Sequence, residues 1–321
     1  MALSSVNYVS KKIETLNNRT LNTLLREAKR AEFTQTYNVT PEVAKVILEK
    51  FNPNNRHINE IAVDSLARDM TNDRWLGHVG DEVTFDNEGN LNNGQHRLSA
   101  IIKSGTTQQM GFRFGISPDS RLVEGRGRVK QFADFIAMTK GKDSLYRNNR
   151  AAAVRLLFGF VHDQSRPQVY CGNAKPTNGE LNEIEAEFGD AIYESLKFVM
   201  EAKVRNVTIE TNAALLHFLF KRSKHGKRAD EFFEGLASGA NLNSDDPRFV
   251  VRNRLLADAM SKQVFRAQKN KDATMGLIVK AWNAWNAGKT WSSKERTPEQ
   301  MPQIEGLVKV GSYKLYAATA D

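Results

Sequence analysis

From residue 131 to about residue 287 of this 321-residue chain, apolar side chains recur every three or four positions, the spacing that gathers them on one face of a helix. The stripes cover about 131–139, 147–163, 179–202, 209–222, 229–237, 249–268 and 273–287. Nearly everything after the basic, glycine-flanked segment Glu124-Gly125-Arg126-Gly127-Arg128 thus reads as helix, and the second half of the chain as an all-helical domain. Any sheet has to be built ahead of it.

The strand signals lie in the first part. Up to about residue 35 the chain is polar and mixed in charge, and Leu16, Leu21, Leu24 and Leu25 are too sparse to make a core alone, which reads as an arm with one helix. Thr40-Pro41-Glu42 is a helix start, a capping hydroxyl followed by a proline in the first turn, where its missing N–H costs nothing. Val43, Val46, Ile47 and Phe51 follow at helical spacing, and Asn52-Pro53-Asn54-Asn55 stops the run. Ile61, Val63, Leu66, Ala67 and Met70 form a second stripe that ends near Asp73-Arg74-Trp75. Glu82-Val83-Thr84-Phe85-Asp86 alternates like a strand, and Asn87-Glu88-Gly89-Asn90 reads as a turn. Leu98, Ala100, Ile101 and Ile102 mark a short helix closed by Ser104-Gly105, and Phe112 to Ile116 reads as another strand. The expected fold is α+β: an arm over 1–35, a small mixed-sheet domain over about 36–140, and a helical domain over 141–321.

Lys and Arg number 46 against 37 Asp and Glu, and the formal charge of +9 favours phosphate-bearing partners through long-range attraction and counterion release. A single cysteine, Cys171, excludes an intrachain disulfide and a cysteine-rich metal site and fits a reducing compartment. The N-terminus has no basic stretch followed by an apolar run, and nowhere do about 18 apolar residues follow one another. The expectation is a cytoplasmic protein without a membrane span. Apart from His96, the histidines show no pair with metal-ligand spacing, so no metal site is expected.

Most of the chemistry gathers in Asn92-Asn93-Gly94-Gln95-His96-Arg97, between a short strand and a helix. A turn that leaves a strand and opens a helix points unpaired N–H groups outward, and the helix dipole adds partial positive charge, so a phosphate sits well at its mouth. Gly94 allows close approach of a ligand, His96 adds a directional donor, and Arg97 is a permanent cation able to grip two phosphate oxygens. On local chemistry alone, a structural turn with exposed polar side chains stays open. The strongest basic run, Lys221, Arg222, Lys224, Lys227 and Arg228, contains no acid and suits several backbone phosphates of DNA. It also follows the apolar Leu215 to Phe220 stretch, and helix C-termini attract cations anyway. Arg126 and Arg128 are a second candidate clamp for nucleotide or DNA phosphate, and Arg248, Arg252 and Arg254 a further basic group. Trp282 and Trp285, three apart beside Ile278 and Ala281, read as core packing rather than a base-stacking platform.

The stretch from Asn55-Arg56 through the Leu66-Ala67 helix and Trp75 to Leu91-Asn92-Asn93-Gly94-Gln95-His96-Arg97-Leu98-Ser99-Ala100 resembles the ParB and sulfiredoxin-like superfamily. More narrowly it is similar to the DGQHR-type proteins common in bacteriophages, a similarity that continues through Glu124–Arg128, Phe132-Ala133-Asp134 and Ala281-Trp282-Asn283-Ala284-Trp285. In that superfamily the equivalent turn binds nucleotide phosphates, of CTP in the partition proteins and of ATP in sulfiredoxin and the free-serine kinase relatives. The resemblance therefore implies ATP or CTP held by Asn93, Gly94, Gln95, His96 and Arg97, with Arg56 lining the same pocket. Two positions depart from the pattern. Gln95 stands where sulfiredoxin has its catalytic cysteine and the partition proteins a glutamate, and Asn93 replaces the usual aspartate; both bear against autonomous NTP hydrolysis.

Phosphoryl transfer would require a base near the acceptor and usually Mg²⁺. Asp81 and Glu82, one strand from the turn, are the best carboxylate candidates, followed by Asp86, with His96 beside them; a solvated strand end accounts for the acids too. The leading expectation is an NTP-dependent enzyme acting on DNA or its nucleotides, such as a phosphotransferase in phage DNA modification. The alternatives are a nucleotide-switched, partition-like DNA-binding protein without chemistry on DNA, and a structural or host-interaction protein that retains only the fold.

Overall fold

The computed structural model describes residues 13–53, 55–76, 81–122, 130–140, 146–260 and 271–307, and its contacts divide the chain into two units, Met1–Val129 and Lys130–Asp321. The architecture is α+β, with a four-stranded mixed sheet in the first unit and helices as the regular structure of the second among the described residues.

Helix α1 (Asn18–Ala28) opens the first unit, its N-terminus capped by Asn17, whose side-chain oxygen accepts from the Thr20 N–H at 2.9 Å. Leu21, Leu24, Leu25 and Ala28 are buried together with Leu16 in the core of this unit. The sparse leucines thus complete a core rather than make one, with α1 packed on the strands that follow it. Strand β1 (Phe33–Val39) comes next, and Phe33 already pairs with Phe114. The boundary expected at residue 35 therefore falls inside a strand.

Helix α2 (Pro41–Phe51) starts as its sequence predicts, with Pro41 in the first turn and the Thr40 hydroxyl accepting from the Val43 N–H at 3.4 Å. Helix α3 (Glu60–Thr71) is capped by the Asn59 side chain and ends before Asp73, which takes a positive φ of 54°. Strands β2 (Val83–Asp86) and β3 (Leu91–Asn93) form a hairpin. Its turn is tied by Asp86, whose carboxylate accepts from the N–H groups of Glu88 at 3.0 Å and Asn90 at 2.8 Å. Helix α4 (Gln95–Ser104) then crosses to β4 (Gln108–Ile116). The strand order is β1-β4-β2-β3, with β2 and β4 parallel and the two outer pairs antiparallel.

All four residues of β2 are buried, so the one-sided alternation read from its sequence is absent. The strand lies between β4 and β3, and the Asp86 carboxylate is drawn inside by the turn it ties. On the sheet, Phe85, Phe112 and Phe114 stack with centroids 5.3 to 6.4 Å apart.

The second unit holds α5 (Phe132–Lys140), α6 (Arg147–His162), α7 (Pro167–Ala174), α8 (Asn178–Glu201), α9 (Glu210–Lys221), α10 (Ala229–Ser238), α11 (Pro247–Met260) and α12 (Lys271–Asn286). Helix α5 packs on α6 and belongs to this unit, although its residues were expected in the first. Helix α7 has no counterpart among the apolar stripes because it buries only Pro167 and Cys171; the proline in its first turn was the readable signal. Helix α9 is buried without a break from Asn212 to Phe220, the pattern of a helix surrounded by others. Phe220 stacks on the fully buried Trp282 at 4.4 Å, which makes that tryptophan core. No helix among the described residues is long and apolar enough to cross a membrane.

Candidate functional site

Gly94 precedes α4 with φ 115° and ψ −2°, and a Cβ placed there would lie 3.0 Å from both γ-carbons of Val83. Glycine is thus required twice, by backbone angle and by the approach of β2. The Cβ direction of Gly94 is taken by β2, while Gly94 itself lines the cavity at the helix start. No side chain caps α4 and no acid stands in its first turn.

A cavity of about 300 Å³ lies at this helix start. Arg56, His96, Arg97 and Asp81 form its polar wall, Leu66 and Trp75 its apolar wall, and Asn93 and Gly94 complete it. That volume is at the lower end of small-molecule sites. Two guanidinium groups face one carboxylate in the lining, which favours an anion.

Each residue named from the sequence has a definite role here. The Arg97 guanidinium donates to the backbone carbonyls of Asp81 and Glu82, the latter at 2.9 Å. Both of these acceptors are neutral carbonyls, and they orient the group. His96 does not donate through Nε2: that atom accepts from the Asn59 N–H at 2.9 Å, which fixes a neutral ring with its proton on Nδ1. Burial first, and then the nearby Arg56 charge, lower the His96 pKa against the pull of Glu60, in agreement with a neutral ring. Nε2 is therefore an acceptor for the start of α3, and the directional donor expected of His96 falls to Nδ1.

Gln95 is a correction. Only 3% exposed, it donates to the Arg56 carbonyl at 2.8 Å and accepts from the Asn52 amide at 3.3 Å. It fastens the 52–56 segment to α4 and is absent from the cavity lining. Glu82 is also absent from that lining; its carbonyl holds Arg97, while its Cγ is the nearest atom to a Cβ placed on Gly111 of β4. Asp86 is committed to its own turn. Of the carboxylates named, Asp81 alone lines the cavity.

The basic run is dispersed by its own contacts. Lys221 pairs with Asp230 at 2.9 Å, Arg222 lies 3.9 Å over the Phe218 ring, and Arg228 lies 3.7 Å over Trp285 while donating to Asn286. Burial lowers the Arg222 pKa, the sign of a guanidinium withdrawn from solvent. Lys224 and Lys227 are exposed, without an ion-pair partner among the described residues. Arg248 pairs with Asp246 at 2.8 Å, so the further basic group is partly neutralised as well. Arg126 and Arg128 lie outside the described residues.

Sequence reasoning missed Trp75 and Leu66 as walls of the cavity, and Asn52 and Asn59 as its fasteners. The Asn-rich stretch before α3 was the available signal, since asparagine side chains bind neighbouring backbone and amides where the chain is irregular. Comparison of the chain with protein-family models, curated proteins and solved structures gives no match.

Proposed function

We propose that the cavity at the start of α4 binds the phosphate chain of a nucleoside triphosphate, ATP or CTP. The observation that carries this reading is the convergence of Arg56, Arg97 and His96 on one cavity beside an uncapped helix N-terminus. The donor set fits phosphate: fixed N–H groups, two permanent cations, and no acid in the helix's first turn. The resemblance to the ParB and sulfiredoxin-like superfamily points to the same ligand class. Mg²⁺ is commonly bound through one or two carboxylates together with phosphate oxygens and water, and Asp81 suits that part.

Asp81 also supports the enzymatic form of the proposal, an NTP-dependent phosphotransferase acting on DNA or its nucleotides, in which Asp81 takes the acceptor's proton. The rival form, a nucleotide-switched DNA-binding protein, is favoured by the commitment of Gln95 and of His96 Nε2 to internal hydrogen bonds. DNA as partner or acceptor is supported by the charge of +9 and by the exposed Lys224 and Lys227.

The test uses labelled ATP and CTP with Mg²⁺ and duplex DNA. Saturable binding that falls at least tenfold in Arg56→Ala and Arg97→Ala is expected from loss of a charged hydrogen bond. Arg56→Ala guards against a folding artefact, since that side chain is exposed. Unchanged affinity in both variants refutes the site. Label passing into DNA identifies the transferase, and retention without turnover identifies the switch.

A further inference from the structure

Helix α1 turns a row of cations outward. Leu21, Leu24, Leu25 and Ala28 are buried on the face that packs against β2 and β4, while Arg19 and Arg26, seven residues apart, share the opposite face. Lys29 and Arg30 continue the row in the turn that closes the helix, where the Arg30 N–H donates to the Glu27 carbonyl at 2.8 Å. All four side chains are exposed, and none has an ion-pair or hydrogen-bond partner among the described residues. Between Arg19 and Arg26 on that face lie the exposed Asn22 and Thr23, so the row itself carries no acid.

The nearby acids are engaged elsewhere. Glu32 pairs with Arg113 of β4. Glu14 and Glu27 lie beside Tyr37 of β1, whose phenol is pushed up by burial first and then by these two carboxylates. Helix electrostatics account for only part of the row. Arg26, Lys29 and Arg30 stand at the C-terminal end, where the macrodipole favours cations, although Arg26 and Arg30 are like charges four residues apart. Arg19 stands in the first turn, at the positive end, and no acid accompanies it there. The chain thus holds Arg19 against the field of its own helix, and an anion from outside the chain is what would offset it.

We infer that this face of α1 binds the phosphate backbone of duplex DNA without reading its bases, Arg19 and Arg26 lying along one strand and Lys29 and Arg30 continuing the line. Seven residues of helix span ~10 Å, about three base steps of a strand at ~3.4 Å each. The apolar face of α1 is buried in the core, so the helix has none to insert into a bilayer, which favours DNA over an anionic membrane. The inference stands on α1 alone: it shares the DNA partner with the reading above and needs no nucleotide at α4.

Fluorescence anisotropy of a labelled duplex of about 20 base pairs with the full chain tests it, without nucleotide and between about 50 and 200 mM salt. The variant Arg19→Gln with Arg26→Gln and Arg30→Gln should bind about tenfold more weakly, and its plot of log affinity against log salt should be shallower by about 2 to 3. Arg19→Gln alone should reduce that slope by about 1 without lowering the thermal midpoint, since it removes a cation from the positive end of the helix. Lys50→Gln with Lys289→Gln and Lys294→Gln makes the same change in net charge outside α1 and should bind as the parent chain does. Equal weakening by this control, an α1 variant with unchanged affinity and slope, or a parent chain that does not saturate up to about 100 μM would each overturn the assignment. So would an α1 variant that loses binding to phosphatidylglycerol vesicles while keeping its affinity for DNA.

Discussion

Replacing Gly94 by alanine separates the two reasons for a glycine at the head of α4. At φ 115° the backbone lies outside the regions an L-residue occupies comfortably, at a cost of about 1–3 kcal/mol. The added methyl would meet both Val83 γ-carbons at 3.0 Å, and easing carbon atoms back to their preferred ~3.5–4.0 Å costs about 1–2 kcal/mol more in a packed site. Gly94→Ala should therefore destabilise the first unit by about 3 kcal/mol in all. Val83→Ala alone removes two buried methyl groups and costs about 2 kcal/mol. In the double variant the two 3.0 Å contacts are gone, while the Val83 Cα at 3.3 Å and the backbone strain remain. It should thus be about 1–2 kcal/mol more stable than the sum of the single changes.

The two units need separate readouts, because a chain of two units does not promise one transition. The four tryptophans provide them: Trp75 lies in the first unit, and Trp282, Trp285 and Trp291 in the second. With 5-fluorotryptophan incorporated, the ¹⁹F resonance of Trp75 followed through a urea titration reports the first unit alone. For a urea slope of about 2 kcal/mol per molar, Gly94→Ala lowers the midpoint by about 1.5 M. Additivity within about 0.5 kcal/mol would show that the approach to Val83 is not what demands glycine, and the packing account of this turn would fail.

The same assay checks a pH dependence. With its folded pKa lowered, His96 contributes stability that is fully present above its unfolded value of about 6.5 and is lost as pH falls through the folded value. His96→Gln keeps an acceptor for the Asn59 N–H and should flatten the Trp75 midpoint between pH 7.5 and 5; an unaltered slope rejects the assignment. In the helical unit Arg150 and Glu185 form an ion pair with side chains 6% and 7% exposed. Glu185→Gln leaves that cation underpaired and should cost about 3 kcal/mol, the low end for a broken buried pair, because Asp190 at 2.9 Å stays in place. A loss under ~1 kcal/mol on the Trp282 resonance contradicts this. Cys171 is buried, and its thiol is pushed up to about 11, so a thiol reagent at pH 8 should label the native chain only at the rate of unfolding. Rapid labelling without denaturant counts against its burial.

Local signals were legible where the chain's own neighbours decide the outcome. Thr40-Pro41 started α2 because a cap and a first-turn proline act within four residues, and the stripes of the second half became helices because each carries its own apolar face. What escaped the sequence was set by distant partners. The leucines around α1 look too few until β2 and β4 supply the rest of their core. Glu82 and Asp81 are adjacent and chemically alike, yet only Asp81 lines the cavity. The basic run from Lys221 to Arg228 contains no acid, but Asp230 lies just beyond it, and the rings of Phe218 and Trp285 lie under two of its guanidinium groups. Counting charges along the chain cannot detect such pairing.

The fasteners of the α4 turn tie its protonation to its charge. Arg56 is held at its backbone, through the Gln95 amide on its carbonyl and, three residues on, through His96 Nε2 on the Asn59 N–H. An imidazolium has no lone pair left to accept, so protonating His96 must break the second tie. The new positive charge would then stand in the same wall as Arg56 and Arg97. Without a ligand the added charge meets two guanidinium groups and the single Asp81 carboxylate in the lining, and acid loosens the segment; with phosphate between them the added charge is offset, and the segment stays closed. Anion binding should therefore raise the His96 pKa, and by linkage the anion should bind more tightly as pH falls toward that value, even while the ligand-free unit loses stability over the same interval. A ligand that neutralised only Arg97 would leave the pH dependence of the free protein in place, so the two titrations together report whether Arg56, His96 and Arg97 act on one ligand.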